Sequence, residues 1–292
     1  MKQIRFVDFW IDCKDASRIR HSLRQISCDE YLKEPVWRGA RYLFAGNFTE
    51  DDPRLERLLD LINAEAIESF SRREIVYTTG ELFDAPLLEF SLRSAERDIE
   101  KPIAEQFDFS SGCPICHSWS KQIGPARLLA SGPPKRATAF QTTNNNYYVA
   151  EPVRDALAEA HVNGLELRQV VSTKANLLPW WQMIPKYEMP PMAPETRGIV
   201  RDNDLPLCSE CHRDGHAHEA DEPTLITYRR SQLGGNALPD AALTYECFGI
   251  TGFDVNGYVA HGRMLISPRI YKVFKALAIR QLRFEPVTIL ED

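Results

Sequence analysis

Two pairs of cysteines with the same spacing constrain this sequence more than any other feature. Cys113 and Cys116 lie in the segment CPICH, and Cys208 and Cys211 lie in the segment CSECH. A Cys-x-x-Cys turn presents two thiolates to one metal ion, and two such turns complete the tetrahedral four-thiolate shell that zinc prefers in structural sites. The pairs are separated by 91 residues, so the intervening chain is interpreted as an insertion between two knuckles. We therefore expect one structural Zn²⁺ ion bound by these four cysteines.

The remaining cysteines and the amino-terminal sequence favour a cytoplasmic location. The chain has seven cysteines, and its first residues, MKQIRFVDFWIDCKD, lack the features of a signal peptide. No run approaches the ~18 to 20 apolar residues that cross a bilayer, so no membrane partner is expected. Disulfides are rare in a reducing compartment. Cys13, Cys28 and Cys247 are therefore interpreted as buried small hydrophobic residues.

Composition and charge indicate a folded protein with a mildly acidic surface. Of the 292 residues, 43% are hydrophobic and 26% are charged, as in ordinary globular proteins. The 41 acidic and 35 basic residues give a net charge of −6. Nucleic-acid-binding proteins usually carry a basic surplus, so the balance disfavours a nucleic-acid partner. An acidic surface suits a basic protein partner, although the same charge also simply keeps a protein in solution.

Residues 1–108 form an amino-terminal α+β region of unassigned role that carries neither cysteine pair. The segment IRFVDFWI (4–11) predicts a strand of large apolar residues. Asp51 or Asp52 before Pro53 predicts the start of a helix. Segments 74–79 and 86–92 predict two strands joined by a turn around Gly80. The predicted buried face of the helix consists of Leu55, Leu58, Leu59, Ile62 and Ala66.

An internal repeat is the main feature of the remaining domain, residues 109–292. Segments 147–171 and 264–288 share apolar positions at an offset of 117 residues, and each predicts a strand, a short helix and a second strand. The pattern is also compatible with two unrelated units of the same type. The predicted fold class is α+β, stabilised by zinc knuckles, with a duplicated strand–helix–strand unit. Four of the matched pairs are Val153 with Ile270, Leu157 with Phe274, Leu165 with Leu282, and Val170 with Val287.

A proline-rich segment, residues 177–198, lies between the repeats. It contains five of the 19 prolines and predicts an extended, irregular connection. Trp180 and Trp181 lie within it. They are interpreted either as aromatic binding anchors or as a cover for the core.

Other chemistries of the cysteine pairs have less support. Each pair is followed by a histidine, and C-x-x-C-H is the attachment motif of c-type haem, but that attachment requires export. A thioredoxin-like redox pair would need a strand-to-helix setting, which neither pair clearly has. In the segment CHRDGHAHEADE (211–222), His212, His216 or His218 could replace a cysteine ligand, or could form a second metal site with Asp214. The same segment is also typical of a solvated polar loop.

No catalytic constellation stands out in the sequence. It lacks a phosphate-binding glycine-rich loop, an H-E-x-x-H motif and a G-x-S-x-G motif. A closed structural zinc site contributes folding energy rather than catalysis. A binding protein is therefore favoured over an enzyme.

The cysteine pairs and the repeat together resemble the double-CXXCG motif proteins. This family was first noted as myxobacterial paralogues and is treated as immunity proteins of polymorphic toxin systems. The resemblance rests on CPICH, CSECH and the block RMLISPRIYKVFKALAIRQLRFEPV (263–287), and it covers about residues 109–292. The family has glycine after each second cysteine, where this chain has His117 and His212, a residue type that tolerates positive φ better than most. The metal ligands that the resemblance implies are Cys113, Cys116, Cys208 and Cys211.

The function that this resemblance implies is protection without catalysis. The protein would bind a cognate toxin in the cytosol and block its active site or its access to substrate. Segments 177–198 and 1–108 are the candidate contact surfaces. Two alternatives stay open: a zinc-ribbon regulator that binds nucleic acid, and a metal-dependent enzyme that uses the Cys/His/Asp cluster of residues 211–218 and keeps an open coordination position.

Overall fold

The chain folds into two compact units. The first contains Met1–Thr78 and His218–Thr224, and the second contains Thr79–Ala217 and Leu225–Asp292. The first unit thus ends before the predicted domain boundary at residue 108. The computed structural model describes residues 2–33, 41–92, 99–101, 104–134, 136–142, 145–201, 208–213, 215–219, 222–234, 237–248, 262–279 and 282–292.

The first unit is a four-stranded antiparallel sheet with two helices. Its strands lie in the order β2-β3-β1-β4. With a helix after β1 and another after β3, this is the β-α-β-β-α-β arrangement of ferredoxin-like domains. The elements are β1 (Lys2–Ile11), α1 (Ala16–Gln25), β2 (Leu32–Lys33), β3 (Tyr42–Thr49), α2 (Pro53–Ala64) and β4 (Ser69–Val76).

Strict alternation along β1 separates the two faces of this sheet. Val7, Phe9 and Ile11 are buried, because side chains at every second position of a strand point to the same face. As predicted, α2 begins after Asp52, whose carboxylate accepts a hydrogen bond from the Arg54 backbone N–H at 2.9 Å. The helices cover this buried face with Ile19 and Leu23 from α1 and with Leu55, Leu58 and Ile62 from α2.

The predicted hairpin around Gly80 does not form. Gly80 lies in a short helix, α3 (Thr79–Asp84), and the next strand is β5 (Leu87–Leu92). Strands β4 and β5 belong to different sheets. The prediction was wrong because two neighbouring strand patterns do not specify whether the strands pair with each other.

The second unit contains the remaining strands and helices. Its two larger sheets have five strands each. One of its short strands, β14, crosses the division between the units at residue 217. After β5 the elements are β6 (Phe107–Asp108), β7 (Lys121–Gln122), β8 (Arg127–Leu128), β9 (Ala139–Gln141), β10 (Tyr147–Ala150), α4 (Glu151–Glu159), β11 (Leu165–Ser172), β12 (Leu177–Pro185), β13 (Ile199–Arg201), β14 (His216–His218), β15 (Thr227–Arg229), β16 (Ala241–Cys247), β17 (Gly262–Ile266), α5 (Pro268–Ala276) and β18 (Leu282–Leu290).

The two five-stranded sheets have the same pattern of strand directions. One has the order β8-β11-β12-β10-β9 and the other has the order β15-β18-β5-β17-β16. In each sheet the first two strands are parallel and every other neighbouring pair is antiparallel. Helix α4 connects β10 to β11, and helix α5 connects β17 to β18. In the first sheet the central strand, β12, directly follows its neighbour β11 along the chain. In the second sheet the central strand, β5, lies far upstream of its neighbours β17 and β18 in the sequence.

The registers of the two sheets also correspond. Tyr148 and Arg168 both pair with Gln182 at the centre of the first sheet. In the second sheet, Leu265 and Glu285 both pair with Glu89. Leu265 lies 117 residues after Tyr148, and Glu285 lies 117 residues after Arg168. The offset seen in the apolar pattern therefore reappears in the strand pairing, and Gln182 and Glu89 occupy equivalent positions.

The first part of the proline-rich segment is a central strand rather than an irregular connection. β12 pairs with both β10 and β11. Proline cannot donate a ladder hydrogen bond, but the pairing shifts register between Gln169 and Val171, and Pro179 lies opposite that irregularity. Trp180 and Trp181 are more than 90% buried, so they cover the core and are not exposed anchors.

The mixed α+β class predicted from the sequence is confirmed, and it includes a cluster of four cysteines. Within the described ranges, none of the helices combines the length and apolar character that a membrane span requires.

Candidate metal centre

The structure brings the four predicted cysteines into one cluster. Their Sγ atoms all lie within 4.8 Å of one another. The Sγ–Sγ distance is 3.6 Å between Cys113 and Cys208 and 3.5 Å between Cys116 and Cys211. A tetrahedral zinc ion with bonds of about 2.3 Å would hold its sulfur ligands about 3.8 Å apart. The cluster therefore has the donor set and the spacing that a metal ion of this size requires.

The two knuckles have the same backbone geometry. The His117 N–H donates to the Cys113 carbonyl at 2.9 Å, and the His212 N–H donates to the Cys208 carbonyl at 3.3 Å. The φ angle is +56° at His117 and +53° at His212. Both histidines therefore adopt the left-handed conformation for which glycine is the usual residue. Histidine at these two positions keeps the turn of each knuckle at a modest conformational cost.

Close packing holds the first knuckle in place. The Cys116 thiol donates to the Ser118 hydroxyl at 3.1 Å, and Ser118 is 1% exposed. A Cβ atom at Gly112 would lie 2.5 Å from the Ser120 hydroxyl oxygen and 2.8 Å from the Ser118 carbonyl oxygen. Only glycine fits at position 112 without displacing this turn.

The thiols of Cys113, Cys116 and Cys211 differ in pKa. Burial raises the pKa of Cys113, but hydrogen bonds from the Cys116 and Ile115 backbone N–H groups, together with the neighbouring thiols, outweigh burial and bring it to about 7. Burial raises the pKa of Cys116 and of Cys211 above the ordinary value for a thiol. Thiolates this close repel one another, so all four ionise together only around a cation.

Arg213 ties the second knuckle to the sheet behind it. Its guanidinium lies 3.9 Å from the ring centroid of Tyr245 and donates to the Glu188 carboxylate at 2.9 Å. Its carbonyl accepts a hydrogen bond from the Cys247 N–H in β16 at 2.7 Å. These contacts fix the direction in which the chain leaves Cys211.

The neighbouring histidines do not join the metal cluster. Among the described residues, the group of possible metal ligands consists of the four cysteines alone. The Nδ1 atom of His216 lies 3.1 Å from the Arg213 carbonyl oxygen, and the Nδ1 atom of His218 lies 2.9 Å from the Thr224 hydroxyl. His212 turns the backbone at the end of the knuckle. Asp214, the fourth member of the alternative histidine site, lies outside the described residues.

A network of amide side chains near the first knuckle was not predicted from the sequence. Gln122 and Gln182 exchange amide hydrogen bonds of 2.8 and 2.9 Å, and Gln182 also donates to Asn146 at 3.3 Å. Asn146 donates to the carboxylate of Glu100 at 2.8 Å, and Tyr148 donates to the same carboxylate at 2.9 Å. These residues are far apart in sequence, so only the strand pairing brings them together.

A cavity of about 550 Å³ lies beside this network. Gln122 and Gln182 line it together with Trp119, which follows the first knuckle. The Trp119 Nε1–H is buried and has no hydrogen-bond partner among the described residues. The cavity is therefore polar on the side of the amide network and aromatic on the side of the metal cluster.

No family model matches the chain, and no curated protein resembles it at a significant level. The chemistry of the site accordingly rests on its own geometry.

Proposed function

We propose that this protein holds one structural zinc ion and acts, without catalysis, as an immunity protein that binds and neutralises a cognate toxin in the cytosol. The observation that carries the proposal is the convergence of two Cys-x-x-Cys turns from distant parts of the chain on one four-cysteine cluster. That arrangement is the feature on which the resemblance to the double-CXXCG proteins depends. Zinc is the metal that all-cysteine tetrahedral sites of this spacing prefer.

A closed coordination shell supports a non-catalytic role. Catalytic zinc keeps one position open for water or substrate, whereas four thiolates occupy every position of a tetrahedral ion. Cys116 and Cys208 are more than 90% buried, which further limits access to the metal. A metal held in this way fixes the fold of the knuckles and positions the surfaces around them.

We further propose that the second unit arose by duplication of one sheet-forming segment. Each copy begins with a knuckle and continues through a parallel edge strand to a strand–helix–strand unit. The shared offset of 117 residues and the equivalent pairing around Gln182 and Glu89 support this origin. Each copy contributes one knuckle, so the zinc ion would join the two copies.

Native mass spectrometry of the tagged protein, isolated gently from its own host, tests both parts of the proposal. We expect one zinc ion per chain and a stoichiometric protein partner. The partner, expressed alone, should arrest growth, and expression of this chain with it should restore growth. A Cys13→Ser variant serves as the control, because Cys13 lies outside the cluster and is exposed, contrary to the prediction that it is buried.

Two results would contradict the proposal in different ways. A metal-free chain with reduced thiols would remove the zinc site and the main support for the family resemblance. A zinc-bound chain that leaves its partner toxic would retain the metal centre and reject the immunity function.

A further inference from the structure

One face of the sheet in the first unit has an unusual set of exposed side chains. The helices cover the face that contains Val7 and Phe9. On the opposite face, Trp10 is 56% exposed and Phe70 is 55% exposed. Phe6 lies on that face as well, half-buried, four positions before Trp10. Single exposed aromatic residues are ordinary, but a group of them on one sheet face indicates an interaction surface.

Asp8 lies at the centre of this aromatic group. In β1 it is flanked by Phe6 and Trp10, each two residues away and therefore on the same face. Across the sheet it pairs directly with Phe70 of β4. Side chains that face each other in this way have Cβ atoms about 4.5–5.5 Å apart. Asp8 therefore has three aromatic residues as neighbours on this face.

The carboxylate of Asp8 carries a charge that no described residue neutralises. Among the residues that the structure describes, it has no hydrogen bond and no ion pair. The nearby cation is already neutralised, since Arg72 Nη2 lies 2.6 Å from the Glu74 carboxylate. The guanidinium of Arg72 also lies 5.2 Å from the ring centroid of Phe6. This contact demonstrates that the aromatic face accommodates a guanidinium against a ring.

We infer that the surface formed by Phe6, Asp8, Trp10 and Phe70 binds a lysine or arginine side chain from a basic segment of a partner protein. The carboxylate supplies the opposite charge, and the rings attract the same cation through their electron-rich faces. The net charge of −6 favours the approach of a basic partner. The identity of that partner as a toxin rests on the proposed function, whereas the cation site does not.

Single-stranded nucleic acid is the competing occupant. Aromatic residues on a four-stranded sheet of this topology can stack on bases. A phosphate backbone would, however, meet the carboxylate of Asp8 at the centre of the face. Like charges at the centre of the surface disfavour that ligand, which is why we assign the face to a cation.

A short blocked arginine-rich peptide, with the same peptide carrying neutral citrulline as its control, tests the inference on the full-length protein. We expect the arginine peptide to shift the indole N–H resonance of Trp10, which a Trp10→Phe variant identifies, and the citrulline peptide to leave it unchanged. Asp8→Asn should weaken peptide binding about tenfold because it removes the charge but keeps the shape. Phe70→Ala should weaken it several-fold.

Asp60→Asn is the matched control for charge. Asp60 is exposed on α2, whose apolar side covers the opposite face of the sheet, and its substitution changes the net charge by the same amount. We expect it to leave peptide binding unchanged. Equal effects of Asp8→Asn and Asp60→Asn would overturn the inference, because the peptide would then respond only to overall charge. Thermal unfolding of each variant checks that the sheet remains folded.

Asp8→Asn also separates the two kinds of ligand by the sign of its effect. It should weaken the binding of a cation and strengthen that of a phosphate backbone. An oligouridylate that binds this face, more tightly to Asp8→Asn and more weakly to Phe70→Ala, would overturn the inference in favour of nucleic acid. If a toxin is neutralised equally by the wild-type protein and by Asp8→Asn, the cation site is not its docking surface, and the immunity function stands.

Discussion

At the metal cluster, each knuckle supplies one partly exposed and one buried thiol. Cys113 and Cys211 are the partly exposed pair, and Cys116 and Cys208 are the buried pair. Each close contact across the cluster joins a partly exposed thiol of one knuckle to a buried thiol of the other. Cys113 contacts Cys208, and Cys211 contacts Cys116. Neither knuckle can therefore retain the ion alone with a complete shell.

Cys208→Ser should abolish stable zinc binding. Altering residues that only support a ligand costs about 10–100-fold in metal affinity, so removing a ligand should cost more than that. Competition with a chromogenic chelator measures the affinity, and thermal unfolding should show a lower midpoint. Cys13→Ser should bind zinc like the wild-type protein. Unchanged zinc affinity in Cys208→Ser would contradict the four-cysteine assignment.

Gly112→Ala should destabilise the first knuckle without altering any ligand. The added Cβ would lie 2.7 Å from the Ser120 backbone nitrogen, so the turn has to move. We expect a loss of about 1–3 kcal/mol in the free energy of unfolding, as for other overpacked sites. Gly124→Ala is the control, because its nearest contact would be 3.2 Å, to the Gln106 Cα. Equal stability of the two variants would argue against a constrained turn at Gly112.

At the scale of secondary structure, local sequence patterns predicted individual helices and strands, but they did not predict which strands pair. A run of large apolar residues predicted β1, and Asp51 or Asp52 before Pro53 predicted the start of α2, because both signals lie within a few residues. β12 was missed because two prolines outweighed its apolar run, and the irregular register that accommodates Pro179 depends on β11. The cysteine cluster could be predicted from the spacing of the cysteines alone, whereas the amide network around Gln182 could not.

The equivalent positions Gln182 and Glu89 lead to a prediction about pH. The pKa of Glu89 is raised from an ordinary value near 4.5 to about 7. Burial is the largest cause, and the facing carboxylate of Glu285 is the second. Within the part of the chain that the structure describes, the Glu89 Oε2 atom has no hydrogen-bond partner. Because the folded-state pKa is above the unfolded-state value, the folded protein favours the protonated form. The stability that this group contributes is present below pH 4.5 and is lost as the pH rises through 7.

Glu89→Gln should therefore stabilise the protein at high pH. It places in the second sheet the residue type that the first sheet has at the same position. We expect a gain of roughly 2–3 kcal/mol in the free energy of unfolding at pH 8, declining towards zero near pH 4.5. Urea unfolding at a series of pH values measures it. Glu159→Gln, an exposed substitution on α4, should show no such trend, and a gain for Glu89→Gln that does not vary with pH would contradict the explanation.

For the whole molecule, the position of β5 determines where the chain can be divided. β5 lies between β17 and β18 at the centre of the second sheet. The domain boundary predicted at residue 108 would remove this strand from its sheet. The contact pattern instead divides the chain after Thr78 and keeps β5 with its partners.

A chain of residues 79–292 should fold and bind zinc, whereas one of residues 109–292 should not. The shorter chain lacks β5 and exposes the apolar edges of β17 and β18. Near-ultraviolet circular dichroism and the zinc content of both chains test the difference. A cooperative thermal transition and one bound zinc ion in residues 109–292 would show that β5 is dispensable.

The distant origin of β5 also affects how the protein is made. β5 ends at Leu92, and its partner β18 begins at Leu282. At about 5–20 residues per second, a ribosome needs roughly 10–40 s to translate the chain between them. Throughout that interval the apolar segment Leu87–Leu92 of the nascent chain lacks the strands with which it pairs. The sheet β8-β11-β12-β10-β9, whose strands all precede residue 186, can form before then. Translation speed and chaperone access during this delay therefore become determinants of the yield of folded protein.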